Sequence, residues 1–139
     1  MTVHMDSLRL RPRGENDIID ITERVEMLIE NAPLKNGVAC LFVPGSTAAL
    51  TTIEYEPGLL VDFPAMFERI VPTNGNYEHE KRWHDGNGHS HVRAALIGPD
   101  LFIPVRDGRL MLGEWQQIVF IEFDVRPRDR TVLVQLIGN

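Results

Sequence analysis

Four of the five histidines in this chain lie between positions 79 and 91, at His79, His84, His89 and His91. They alternate with Asp85, Gly86, Asn87 and Gly88, and the apolar run Val92–Ile97 follows. Neutral imidazole is the commonest protein ligand for borderline metals, and three histidines plus an open position is the usual catalytic zinc site. His79, His89 and His91 are therefore predicted to converge on one divalent ion, with His84 as the rival third ligand. Residues 89 and 91 point the same way only in extended backbone, because a helix turns them apart by about 200°. The prediction thus requires Ser90 to precede the following helix or to cap it. Asp85 would order an imidazole or attract a substrate proton, and Asn87 would orient a carbonyl or phosphate oxygen. Zinc suits these ligands, with magnesium as the other candidate. The chain has no His-Glu-x-x-His, so peptide hydrolysis has no support. The bland reading of the segment is a solvated, histidine-rich loop.

Two further groups carry chemistry. Gly45-Ser46-Thr47 follows an apolar strand, and its N–H groups and hydroxyls could receive an anion, although a plain turn has the same composition. Glu54 stands just past the next strand, as a base, a ligand or a solvated end residue.

The elements that position these groups read as follows. Ser7–Arg11 is predicted as a short strand. A helix follows, with Asp20 at its start, Glu23 in the reciprocal capping position, and Val25, Leu28, Ile29 and Ala32 on one face. Val38–Val43 and Ala48–Ile53 read as strands. Leu59, Leu60, Phe63, Phe67 and Ile70 fit a second helix, capped by Asp62 and kinked or restarted at Pro64. Residues 73–88 lack periodicity and are expected to form a long loop. A third helix should begin at His89 or Ser90 and stop at Gly98-Pro99. Asp107-Gly108 marks a hairpin between 101–105 and 109–112. The run 117–125 alternates along a long strand, and Val132, Val134 and Leu136 face one way on the last one.

Composition bounds the rest. A chain of 139 residues fits one domain, 1–139, able to bury about two thirds of its unfolded surface. The formal charge of −6 argues against a nucleic-acid or anionic-membrane surface. There is no signal-peptide pattern and no run of about 20 apolar residues, so a cytoplasmic location is expected. Cys40 is the only cysteine and is expected to be buried and reduced in its strand.

Three stretches carry a resemblance to a known family: Phe42–Thr51 continuing to Glu54, Tyr77–His79 with Asn87–His91, and Gly108–Gln116. The chain resembles the YjbQ family, uncharacterised protein family 0047, also called the secondary thiamine-phosphate synthase family. The resemblance implies a compact α+β fold, with a mainly antiparallel sheet and two to three packed helices, assembled as a homotrimer. Glu54, His79, His91, Trp115 and Gln116 keep family positions. Glu114 stands where a threonine is common, and Gly45 where many relatives carry a histidine. With these positions added, the predicted catalytic set is Glu54, Asp85, His91 and Gln116. Ser46, Thr47, Asn87 and Trp115 are the cofactor-binding set, and Trp115 and Gln116 are placed near a subunit boundary. The implied activity is a weak joining of hydroxymethylpyrimidine diphosphate to thiazole phosphate. Diphosphate sites use magnesium, carboxylates and basic residues, whereas the arginines nearest in sequence to these motifs are Arg93, Arg106 and Arg109. A metal-dependent hydrolase or lyase acting on a small phosphorylated metabolite therefore stands as an alternative. So does a non-enzymatic metal- or small-ligand-binding module.

Overall fold

The strand Gln117–Glu122 (β7) buries Ile118 and Phe120 on one face and Val119 and Ile121 on the other, all four completely. A strand apolar on both faces needs a packed layer on each side. The computed structural model, which describes residues 1–139, supplies both. In chain order the remaining elements are β1 (Thr2–Leu10), β2 (Asp17–Asp20), α1 (Thr22–Asn31), β3 (Gly37–Phe42), β4 (Ala48–Ile53), α2 (Pro57–Ile70), α3 (Glu78–Trp83), α4 (Gly88–Ile97), β5 (Asp100–Arg106), β6 (Arg109–Leu110) and β8 (Arg130–Gly138).

They form two antiparallel sheets, ordered β1-β8-β3-β5-β6 and β2-β7-β4. The inner face of the larger sheet meets Ile118, Phe120 and the Val25–Ile29 stripe of α1 in the main core. Val119, Ile121 and Phe123 face the other way, onto Phe67 of α2 and Ala94 of α4. The expected α+β, mainly antiparallel architecture is thus observed, divided into two sheets and carrying four helices.

Several elements differ from the sequence reading. β1 runs from Thr2 because all of it pairs with β8, from Thr2 opposite Gly138 to Leu10 opposite Arg130. Asp20 accepts from the Thr22 N–H and hydroxyl, and that hydroxyl in turn accepts from Ile118 N. Glu56, not Asp62, caps α2 by accepting the Gly58 and Leu59 N–H groups. Pro57 opens that helix, where its missing N–H does no harm, and the helix continues through Pro64. The Asp107-Gly108 turn has positive φ at both residues (53° and 75°), the backbone of a tight hairpin. Cys40 is only half-buried, because its side of β3 faces out of the larger sheet.

Candidate functional site

The expected loop 73–88 contains α3, and α3 decides where the histidines go. His84 ends the helix in the left-handed conformation (φ 52°), with its side chain exposed. The Glu80 carboxylate reaches over that turn and accepts from Gly86 N at 2.8 Å and Gly88 N at 2.6 Å. The bond from Gly88, then that from Gly86, holds its carboxyl below the usual carboxylate range. A Cβ at Gly88 would lie 2.6 Å from Tyr77 Cβ, so only glycine lets the two segments close.

Because α4 begins at Gly88, both His89 and His91 lie inside the helix and diverge. His89 turns inward, 2% exposed, and its Nε2 is paired with Glu15. His91 turns to the other side, its ring centre 4.5 Å from that of His79. The predicted His79–His89–His91 convergence is therefore not found in the chain: His79 and His91 meet, while His89 anchors α4 to the 11–17 turn. Ser90 is interior to the helix and bonds Asn87 Oδ1 at 2.9 Å.

His79 gathers acids instead. Its Nδ1 lies 3.5 Å from Asp85 Oδ1 and 3.8 Å from Glu80 Oε1. Donor atoms of His79, Glu80 and Asp85 fall within 4.8 Å of one another, a group that could hold a metal ion. His79 Nδ1 is buried and has no hydrogen-bond partner. A buried polar atom left unpaired costs about 1–3 kcal/mol, so this orphan nitrogen beside two carboxylates fits a bound cation. The mixed nitrogen and oxygen donors match zinc-like ions better than magnesium, which favours oxygen. Glu80 already spends both oxygens on backbone N–H groups, leaving His79 and Asp85 the freer donors.

Next to this group opens a polar pocket of about 280 Å³. Gly45, Ser46 and Thr47 form one wall, Asp85, Asn87 and His91 another, and Asp124, Arg128 and Arg130 the third. Five predicted residues, Ser46, Thr47, Asp85, Asn87 and His91, are thus brought together. Two have commitments the sequence did not reveal. Asn87 Oδ1 accepts from Ser90 and from Val125 N at 3.1 Å, tying the start of α4 to the segment that follows β7. The Thr47 hydroxyl donates to Asp124 at 3.0 Å and accepts from Arg130 at 2.7 Å.

The third wall was missed. The alternation that buries Ile118 and Phe120 also puts Glu122 and Asp124 on the face toward β8, both buried. Arg130 answers Glu122 with two bonds, Nε at 2.8 Å and Nη2 at 2.6 Å. Arg128 Nε donates to Asp124 at 3.1 Å. Burial alone would raise the Asp124 carboxyl, but bonds from Arg126 N, Thr47 and Asn87 and the charge of Arg128 together hold it below the usual range. Charged residues on the apolar side of an alternating strand, followed by paired arginines, were the available signal. The arginines named from proximity in sequence do not line this pocket. Arg93 is fully buried, bonded to Val71 O and Glu68.

Glu54, Trp115 and Gln116 lie elsewhere. They sit past the far ends of β4 and β7, separated from Thr47 by the length of β4, about 20 Å. Gln116 bonds Thr52 and Gly113 N there, while Glu54 and Trp115 are exposed. Within one chain they do not reach the pocket.

Residues 6–139 match the family described as UPF0047 protein YjbQ-like. A UPF0047 protein of Archaeoglobus fulgidus is 39% identical over 128 residues, covering 92% of this chain and 97% of its own. One from Methanothermobacter thermautotrophicus is 38% identical, covering 100% of this chain and 95% of its own. The crystal structure of a YbjQ-like protein of unknown function from Sulfolobus solfataricus superposes with a TM-score of 0.94 at 31% identity, over 99% of each chain. A hypothetical protein from Aeropyrum pernix gives 0.90 at 33% identity, over 98% of this chain and 99% of its own. With agreement over essentially its whole length in sequence and in fold, the chain belongs to the YjbQ-like UPF0047 family.

Proposed function

We propose that this pocket belongs to a metal-assisted hydrolase or lyase acting on a small phosphorylated metabolite. The observation that carries the reading is His79 Nδ1, buried, unpartnered and 3.5 Å from Asp85 Oδ1. His79 and Asp85 would hold the ion, with Glu80 and His91 adjoining. When bound, such an ion supplies Lewis-acid polarisation and a water acidic enough to ionise near neutrality. The chain's own side chains do the remaining work. His91 lies beside His79 and also lines the pocket, placing it to give or take a proton at the reacting group. The Ser46 hydroxyl orients substrate from the opposite wall, and Asn87 holds the start of α4 in place. Zinc titration of the metal-free protein by calorimetry tests the reading. One ion per chain is expected, with affinity falling at least tenfold in His79→Ala and Asp85→Ala and unchanged in His89→Ala. Equal affinity in all four proteins would rule the site out, leaving a small-ligand module.

The thiamine-phosphate joining reaction is the second reading, favoured by one observation. Arg128 and Arg130 provide the basic groups at the pocket that a diphosphate substrate needs. Turnover of the two thiamine precursors, set against phosphate release from phosphorylated metabolites, separates the readings.

Homotrimeric assembly, implied by the family resemblance, has a surface that supports it. The outer face of the larger sheet carries Val3, Val38, Met5 and Phe102 in adjoining rows, with Phe42 beyond them, all exposed. An arrangement in which Glu54, Trp115 and Gln116 of one subunit complete the pocket of the next would give those residues a role at the site.

A further inference from the structure

We propose that Arg130 Nη1 and the Gly45-Ser46 turn form a subsite for a phosphate group, an inference that takes the pocket of the proposed function as its setting. A guanidinium has five N–H donors in a fixed plane. In Arg130, Nε and Nη2 are held by the two oxygens of Glu122 and by the Thr47 hydroxyl, at 2.6–2.8 Å. These bonds fix the plane and leave the Nη1 edge without a partner in the chain. The side chain is only 9% exposed, and what remains open faces the pocket.

Gly45 is why that edge is reachable. A Cβ built at position 45 would stand 2.8 Å from Arg130 Nη1, closer than the two atoms can approach. Without it, a cleft of about 280 Å³ opens directly onto two N–H donors, with the exposed Ser46 beside them.

The charges around this edge decide what it takes. Glu122 is spent on Arg130, and both Asp124 oxygens already accept, from Thr47 and Arg128 on one and Arg126 N on the other. Asp85, the other acid on the pocket wall besides Asp124, lies beside His79. A planar, immobile, charged donor edge recognises an oxyanion, and a tetrahedral one such as a phosphate group has oxygens enough to meet both Nη1 hydrogens and Ser46 together, where a carboxylate has two. The subsite would hold the unreacting phosphate of a substrate whose other end lies at His91 and His79.

Calorimetric titration of inorganic phosphate into the metal-free full-length protein, with acetate as the competing anion, tests this. One saturable site per chain is expected, not displaced by equimolar acetate. Gly45→Ala should weaken it at least tenfold, as should Arg130→Lys. Because Arg130→Lys disturbs a buried pair, Gly45→Ala on the exposed turn is the deciding variant, its fold checked by a thermal melt. Phosphate binding that survives in Gly45→Ala, or is absent from the unaltered protein, overturns the proposal. His79→Ala should keep phosphate while losing zinc. If it loses phosphate while Gly45→Ala keeps it, the subsite is wrong and the metal reading stands. If zinc fails to bind while phosphate binds and depends on Gly45, the metal reading is wrong and the subsite stands.

Discussion

Replacing Glu122 by alanine tests what holds the pocket's third wall. Glu122 is fully buried, takes two bonds from a guanidinium that is itself only 9% exposed, and accepts from Asp124 N at 3.2 Å. Two desolvated charges are tolerated because each answers the other; removing one strands its partner, at about 3–5 kcal/mol. For a chain of 139 residues, 1 kcal/mol moves the melting point by about 3 °C, so a drop of about 10–15 °C is expected. The assay is a thermal melt at fixed protein concentration with chelator present, so that neither assembly nor metal binding shifts the baseline. Glu122→Leu combined with Arg130→Met removes both charges at similar volume. That double variant should recover most of the loss while binding no phosphate, separating the stability of the pair from its use. A drop under about 1 kcal/mol for Glu122→Ala, or a double variant no more stable than the single one, would refute the reasoning.

Other expectations follow from the same geometry. Asp124 has a lowered carboxyl pKa, so its stabilising contribution is complete above the unfolded value of about 3.9 and is lost as pH falls through the still lower folded value; Asp124→Asn should flatten the acid limb of a melting-point profile and leave the profile above pH 5 parallel to that of the unaltered protein. Gly88→Ala places a methyl 2.6 Å from Tyr77 Cβ, should destabilise by about 1–3 kcal/mol in a denaturant titration, and should weaken zinc binding because α3 carries His79. If the chain assembles as the proposed homotrimer through the outer sheet face, light scattering at micromolar concentration should give a trimer mass for the unaltered protein and a monomer mass for Phe102→Asp; a trimer mass in both would move the interface elsewhere. Cys40 pairs across the sheet with Phe102, and burial, then Asp100, raises its thiol pKa. Labelling by a thiol reagent should therefore be slow, and faster in Phe102→Ala, which uncovers the thiol without adding a carboxylate opposite it.

Much of this fold was legible because its periodicities are local. The α1 stripe, the two apolar strands around Gly45-Ser46-Thr47 and the Asp107-Gly108 hairpin each follow from a few neighbouring residues. The 78–83 helix was not legible: it has no buried residue, and what fixes it is Glu80 reaching Gly86 and Gly88, contacts that composition does not display. The same bonds set where α4 starts. A start at Gly88 rather than after Ser90 is a shift of three residues, and that shift reverses the role of His89 from ligand to buried anchor. Sequence pattern locates helix ends to within a turn, so the metal set hung on the feature it resolves least well.

The pocket itself joins three segments distant in the chain, and the bonds between them explain why its basic wall escaped notice. Position 47 meets position 124 and position 130 through one hydroxyl, and Asn87 meets both Ser90 and Val125 through one oxygen. The junction at position 47 has no spacing that could be recognised, since it depends on β4 and β7 pairing with Ala48 opposite Glu122. Once that register is set, the acid at 122 must be buried beside the start of β8, and a buried acid there demands a cation from the chain that follows. Arg130 meets that demand with Nε and Nη2 alone. The need for stability consumes three of its donors, and the two that remain are held still by the same bonds. A structural ion pair in this position therefore produces a preorganised anion-facing edge, so the pocket's stability and its proposed recognition of phosphate should change together when the register between β4 and β7 is disturbed.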